Sequence, residues 1–160
     1  MKHSTIVFLS LLITFIPCSR LISAKNILRK HYEKIVVEIY IDNPEYMFNK
    51  EKIFASSPPF IYKNRTLVPT EVIREIFYQD NGEYDGQAKS IKFWFKDLTI
   101  ILYHNKPIAL VNGEDVTLDA PAVIRCGRFQ IPLRFIAETL GASVEWEPNA
   151  QKITIIYEPK

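Results

Sequence analysis

The clearest periodicity in the chain lies near its end. Leu133, Ile136, Ala137 and Leu140 recur at i, i+3, i+4 and i+7, the apolar stripe of a short amphipathic helix. Pro132 suits the first helical position, where its missing N–H costs nothing, and Gly141 suits a left-handed stop. Ala142, Val144 and Trp146 then alternate with Ser143, Glu145 and Glu147. Beyond a turn at Pro148-Asn149-Ala150, Ile153, Ile155 and Tyr157 alternate with Lys152 and Thr154, which predicts a hairpin with one apolar face. Upstream, Val116-Thr117-Leu118 and Phe129-Gln130-Ile131 read as strands bounded by turns at Asn112-Gly113 and Cys126-Gly127.

The same pattern is written earlier. Pro58, Arg65, Pro69, Ile73, Glu75 and Phe77 stand at the spacings of Pro121, Arg128, Pro132, Ile136, Glu138 and Leu140, with a constant offset of 63. Past the helix the offset becomes 62, which sets Tyr84 on Trp146, Asp85 on Glu147 and Ile91 on Ile153. A two-turn helix is marginal alone in water, so its stripe must lie on the apolar face of strands. Each copy therefore needs a neighbour, which the duplication supplies. The second copy is expected to extend the sheet of the first or to cover its open face.

The first copy is the more divergent. Its helix is predicted over residues 70–78, with Ile73, Ile76 and Phe77 buried. Measured from Asn43, it holds six more residues before Pro58 than separate Asn112 from Pro121. The excess reads as an insertion near 44–54 that carries Tyr46, Met47 and Phe48. In Ile91-Lys92-Phe93-Trp94-Phe95-Lys96 the alternation turns Ile91, Phe93 and Phe95 inward and Trp94 outward between two lysines. The strand Leu98 to Tyr103 bridges the copies with no Gly- or Ser-rich linker. This predicts an α+β chain of two tandem units, each a few antiparallel strands curved around a short helix, over residues 35–103 and 104–160.

The first 24 residues read differently. Lys2 and His3 precede an apolar run from Ile6 to Ile16, and Ile22-Ser23-Ala24 offers a small residue for cleavage. That is the layout of a secretory signal, with an apolar core too short for the roughly 20 residues of a spanning helix. Residues 25–34 follow as a basic spacer, and no transmembrane segment is expected after cleavage. Of the 20 basic residues cleavage removes Lys2 and Arg20, and of the 18 acidic ones none, so the mature chain is balanced in charge. A balanced chain lacks the basic footprint of a nucleic-acid binder. Cys18 also leaves with the signal, and Pro17 before it argues against lipid modification. Cys126 is then alone and cannot form an internal disulfide, so the fold rests on its apolar core.

Asn64-Arg65-Thr66-Leu67-Val68-Pro69 and Gly127-Arg128-Phe129-Gln130-Ile131-Pro132-Leu133-Arg134-Phe135-Ile136-Ala137-Glu138-Thr139-Leu140-Gly141-Ala142 resemble the repeat of the copper amine oxidase-like N-terminal domain, or stalk domain. The resemblance runs from about Ile35 to Tyr157. In the first copy Thr70-Glu71 replaces the family's Leu-Arg, and the Gly-Ala exit is missing. It implies a small α+β unit without a general catalytic role, found in secreted bacterial proteins. The copper belongs to a neighbouring domain of the oxidases. The expected role is a secreted, non-catalytic structural or interaction module at the bacterial cell surface.

The residues give little support to chemistry. Type-2 copper needs converging imidazoles, and after cleavage only His31 and His104 remain, far apart in sequence. A catalytic triad would have to recruit one of them; His104, beside Asn105, reads as a solvated turn residue. Glu145 and Glu147 fall on a polar strand face, and Cys126 reads as a small, half-buried turn residue. No catalytic residue, metal site or cofactor is expected. Arg65 and Arg128 are marked by the duplication, and their guanidinium groups are expected to bind loop carbonyls and fix the strands leading into Pro69 and Pro132. With Gly141 and Trp146 these are the structural positions of the repeat. The alternative is a carbohydrate- or wall-polymer-binding surface of Trp94, Lys92, Lys96, Tyr46 and Phe48. Its partner would be a cell-wall polysaccharide or another surface protein.

Overall fold

The computed structural model describes residues 32–77 and 82–159. The described residues form fourteen strands and two short helices. β1 (Ile35–Tyr40), β2 (Glu45–Phe48), β3 (Glu51–Phe54), β4 (Phe60–Tyr62) and β5 (Arg65–Pro69) lead into α1 (Thr70–Ile76). Then come β6 (Gly82–Asp85), β7 (Ser90–Phe95), β8 (Leu98–Tyr103), β9 (Ile108–Val111), β10 (Glu114–Thr117), β11 (Val123–Arg125) and β12 (Arg128–Pro132). α2 (Leu133–Thr139) and the hairpin β13 (Ser143–Glu147) and β14 (Lys152–Tyr157) complete the chain.

The strands build three antiparallel sheets, ordered β13-β14-β1-β2-β3, β10-β9-β8-β7-β6 and β11-β12-β5-β4. Their register shows a pseudo-two-fold axis. In the third sheet Val68 lies opposite Ile131, its own counterpart, while Gln130 faces Pro69 and Pro132 faces Leu67. In the first sheet β1 pairs with β14, from Ile35 opposite Tyr157 to Tyr40 opposite Lys152. The second sheet repeats this as β8 on β7, from Leu98 opposite Phe95 to Tyr103 opposite Ser90. Each copy's C-terminal hairpin thus completes the sheet begun by the other copy's N-terminal strands. Extension of a neighbour's sheet is one of the two arrangements the duplication predicts, and here it runs in both directions.

This symmetry corrects two details of the sequence reading. Residues 44–54 are not an insertion: β2 and β3 are the counterparts of β9 and β10. Asn49 Oδ1 accepts the Val36 N–H (2.7 Å) and its own N–H bonds the Val36 carbonyl (2.8 Å), as Asn112 does with Thr99 (2.8 Å both ways). The matching turn is Asn49-Lys50, with φ of 45° and 72°, against 52° and 88° at Asn112-Gly113. The apparent excess arose from aligning Asn43 with Asn112. In addition, Leu98–Tyr103 stands where β1 stands, so the halves meet at Lys96-Asp97 and not after Tyr103.

One continuous core draws on all three sheets and both helices. α1 packs on β5 and β12, α2 packs on β5, β12 and β13, and the helices touch each other. Val72, Ile73 and Ile76 of α1, and Leu133, Ile136 and Ala137 of α2, are buried. Seven-residue helices gain their stability from this packing, not from propensity. Pro69 and Pro132 close their strands at the N-cap, one residue before the predicted helical position. A proline there ends strand pairing without leaving a donor unpaired. Gly141 has φ of 84°, as a left-handed helix stop requires.

Candidate functional site

Arg65 begins β5 and points across the pseudo-axis at the loop after β10. Its Nε and Nη2 donate to Asp119 Oδ2 at 2.9 and 2.7 Å, and Nη1 donates to the Asn64 carbonyl at 2.9 Å. The guanidinium therefore binds a loop carbonyl, as its repeated position suggests, and also makes an ion pair that the sequence could not show. Both partners are largely exposed, so the pair contributes ~0.2–1 kcal/mol. Its geometric effect is larger, because it ties a loop of the second half to a strand of the first. Arg128 is exposed. Position 56, the counterpart of Asp119, is serine; its N–H and hydroxyl both bond Glu71 Oε1.

A cleft of about 160 Å³ opens beside this pair, lined among others by Thr66, Arg134, Phe135 and Glu138. Arg134 Nε and Glu138 Oε1 are 4.0 Å apart one helical turn along α2, the weak pair their order predicts. The arginines and carboxylates offset each other in charge. Among the described residues no serine, cysteine or histidine lines the cleft.

His104 is not a free turn residue. Its Nδ1 accepts the Ile124 N–H at 3.0 Å, which commits that ring nitrogen to a backbone donor. The ring lies edge-on to Phe129 at 6.5 Å, and the Asn105 side chain meets Nε2 at 3.1 Å. His104 thus straps the end of β8 to the edge of β11, and its role follows from a backbone neighbour twenty residues away. His31 lies outside the described residues. Among the described residues no three metal-ligating side chains gather, and the one described histidine spends Nδ1 on a peptide N–H, so the donor set does not fit copper. Cys126 is exposed, not half-buried, because it occupies a two-residue turn with φ of 51°.

The proposed aromatic surface does not assemble. Ile91, Phe93 and Phe95 face the core and Trp94 faces outward, half-buried, with Lys92 Nζ 4.8 Å from its ring centroid. Lys96 sits in the turn after β7 with φ of 50°. Tyr46 and Phe48 are core side chains, 4 % and 1 % exposed, and belong to a different sheet from Trp94. The alternation of β2 turns them inward, where their counterparts in β9 are Ala109 and Val111. Trp146 and its counterpart Tyr84 are both exposed at the hairpin edges; Tyr84 rests on Phe129 at 5.8 Å.

A second polar network lies on the first sheet. Lys152 Nζ reaches Glu147 at 2.9 Å and Glu38 at 3.1 Å, which joins β13, β14 and β1. Hydrogen bonds to Glu147 first, and then to Glu38, raise the lysine above its ordinary pKa. Burial raises that of Tyr157 on the same strand. Glu145 remains on the exposed polar face as its alternation predicts. Among the described residues no helix is long and apolar enough to cross a membrane.

Comparison with known proteins also finds a repeat, divided near residue 80 and not at Lys96-Asp97. No curated protein and no solved structure matches the chain. The family model of the copper amine oxidase N-terminal domain matches twice, over residues 22–82 and 78–155. The two matches together span most of the chain and meet where α1 gives way to β6. The chain belongs to the copper amine oxidase N-terminal domain family, present in tandem, with no catalytic domain evident in its 160 residues.

Proposed function

We propose that the chain is a secreted, non-catalytic structural module of the stalk type at the bacterial cell surface. The observation that carries this reading is the seam between β1 and β14. Ile35 is paired with Tyr157, and Lys34 Nζ lies 3.9 Å from Glu158 Oε1, so the chain enters and leaves the folded body at one edge. A body of this kind adds bulk and surface beside its point of attachment, and little length along the chain. The tie at Arg65, across the halves, and the tie at His104, within the second half, support a structural reading, since they join loops to strands.

The test is expression of the full chain in a secreting bacterium, with fractionation and intact-mass analysis. The expected product is found outside the membrane and begins at Lys25. A chain retained in the cytoplasm with residues 1–24 intact would overturn the secreted role. Turnover of amines or glycans by the purified product, lost on mutation of a specific side chain, would overturn the non-catalytic one.

A further inference from the structure

We infer that the chain forms a domain-swapped dimer with a second copy of itself, by opening the turn at Lys96-Asp97. The two halves, residues 32–95 and 98–159, meet through β1 on β14, β5 on β12 and β7 on β8. This turn is their one covalent connection. At the symmetry-equivalent place between β14 and β1 there is no turn, only the Lys34–Glu158 ion pair. Every contact between the halves is therefore available equally within one chain or between two. What selects the closed form is two residues.

Those two residues suit a tight hairpin poorly. Two-residue hairpin loops favour Asn-Gly or a leading glycine, because the backbone needs positive φ. The chain follows that rule at Asn112-Gly113 and departs from it at Asn49-Lys50, at Lys63-Asn64 and at Lys96, which is held at φ of 50°; of these three turns only the last joins the two halves. In a swapped dimer β7 runs straight into β8, and residues 90–103 of one copy pair antiparallel with the same residues of the other. Ser90 then faces the second copy's Tyr103, and Phe95 its Leu98, in the register already seen within one chain. Lys96 is released from its left-handed conformation in both copies. Short hinge loops under strain invite this exchange.

The size of the effect can be worked out. Linking the halves by a short connection gives an effective concentration on the mM scale. A non-glycine residue in the left-handed region costs about tenfold in population, and two such turns open per dimer. The dimer is thus expected to dissociate near ~10 µM, and near mM once the turn is relaxed.

The test refolds the full chain from denaturant at high and low concentration and follows its mass by light scattering. Wild type is expected as a dimer at high and a monomer at low concentration. Replacing Lys96-Asp97 by Asn-Gly should shift the equilibrium about a hundredfold toward monomer. Deleting Asp97, which forbids the tight turn, should shift it toward dimer. The exchange itself is read by co-refolding two chains that both carry Cys18→Ser and Cys126→Ser, one with Lys92→Cys and one with Ile101→Cys. These positions are opposite each other on β7 and β8, so a swapped dimer yields a mixed disulfide between chains. Monomer at every concentration, in wild type and deletion alike, would overturn the inference. So would a dimer that the Asn-Gly variant leaves unchanged, or one that gives no mixed disulfide.

Discussion

Gln130 offers a sharp test of how this core is built. It is fully buried in β12, its Nε2 donates to Ser57 Oγ at 2.9 Å, and its Oε1 has no hydrogen-bond partner among the described residues. Its symmetry counterpart is Leu67, which is also fully buried. The fold therefore already accommodates a leucine in one of two equivalent places. Gln130→Leu would relieve an unsatisfied carbonyl costing ~1–3 kcal/mol and forfeit one hydrogen bond worth about 1 kcal/mol. It would also bury methyl groups in place of an amide, which adds to the gain. Ser57 is only half-buried, so water can replace its lost partner. The net expectation is a stabilisation of about 1–2 kcal/mol. With a slope of ~1–3 kcal/mol per molar urea, the midpoint of a urea melt followed by circular dichroism should rise by ~0.3–2 M. The reverse change, Leu67→Gln, should lower stability by ~2–5 kcal/mol, since it buries a second amide without a partner. A Gln130→Leu chain less stable than wild type by 1 kcal/mol or more would refute the reasoning. It would mean that the amide is fully bonded and that the two places are not equivalent.

Three further outcomes are expected. Ile136→Ala should cost ~2–5 kcal/mol in denaturant melts, and Leu140→Ala clearly less, because Leu140 is only half-buried. Gly141→Ala should cost about 1 kcal/mol through the backbone alone, since nothing lies within 4 Å of the added Cβ; Gly141→Asn should cost less. Stability should be level up to about pH 10 and fall above it. Lys152 and Tyr157 both have raised pKa values, so the folded chain holds protons that the unfolded chain releases. Thermal melts between pH 8 and pH 11 should show the fall, and Tyr157→Phe should reduce it.

The local units were legible because their signals are local. The stripe of α2, the left-handed stop at Gly141, the inward set Ile91, Phe93 and Phe95, and the 63-residue repeat all follow from side chains read against the period of a helix or strand. The misreadings came where a local signal had two interpretations. Asn43 was matched with Asn112 because Asn49-Lys50 lacks the glycine that marks an I′ turn, although its backbone adopts the same positive φ values. Reading β2 as an insertion in turn places Tyr46 and Phe48 at the surface, whereas both are buried. The ties at Arg65–Asp119 and His104–Ile124 join residues 54 and 20 apart in the chain, and no spacing rule announces them.

Periodicity and the repeat establish that there are two equivalent units, where their helices and the turns of the second unit fall, and that neither unit hides enough apolar surface alone. Only the tertiary structure decided which strand completes which sheet. Alternation along β1 states which side chains point inward, but an antiparallel edge offers the same backbone donors and acceptors to any strand of matching register. The choice of β14 for β1, and of β8 for β7, is made by closing one core around a two-fold axis.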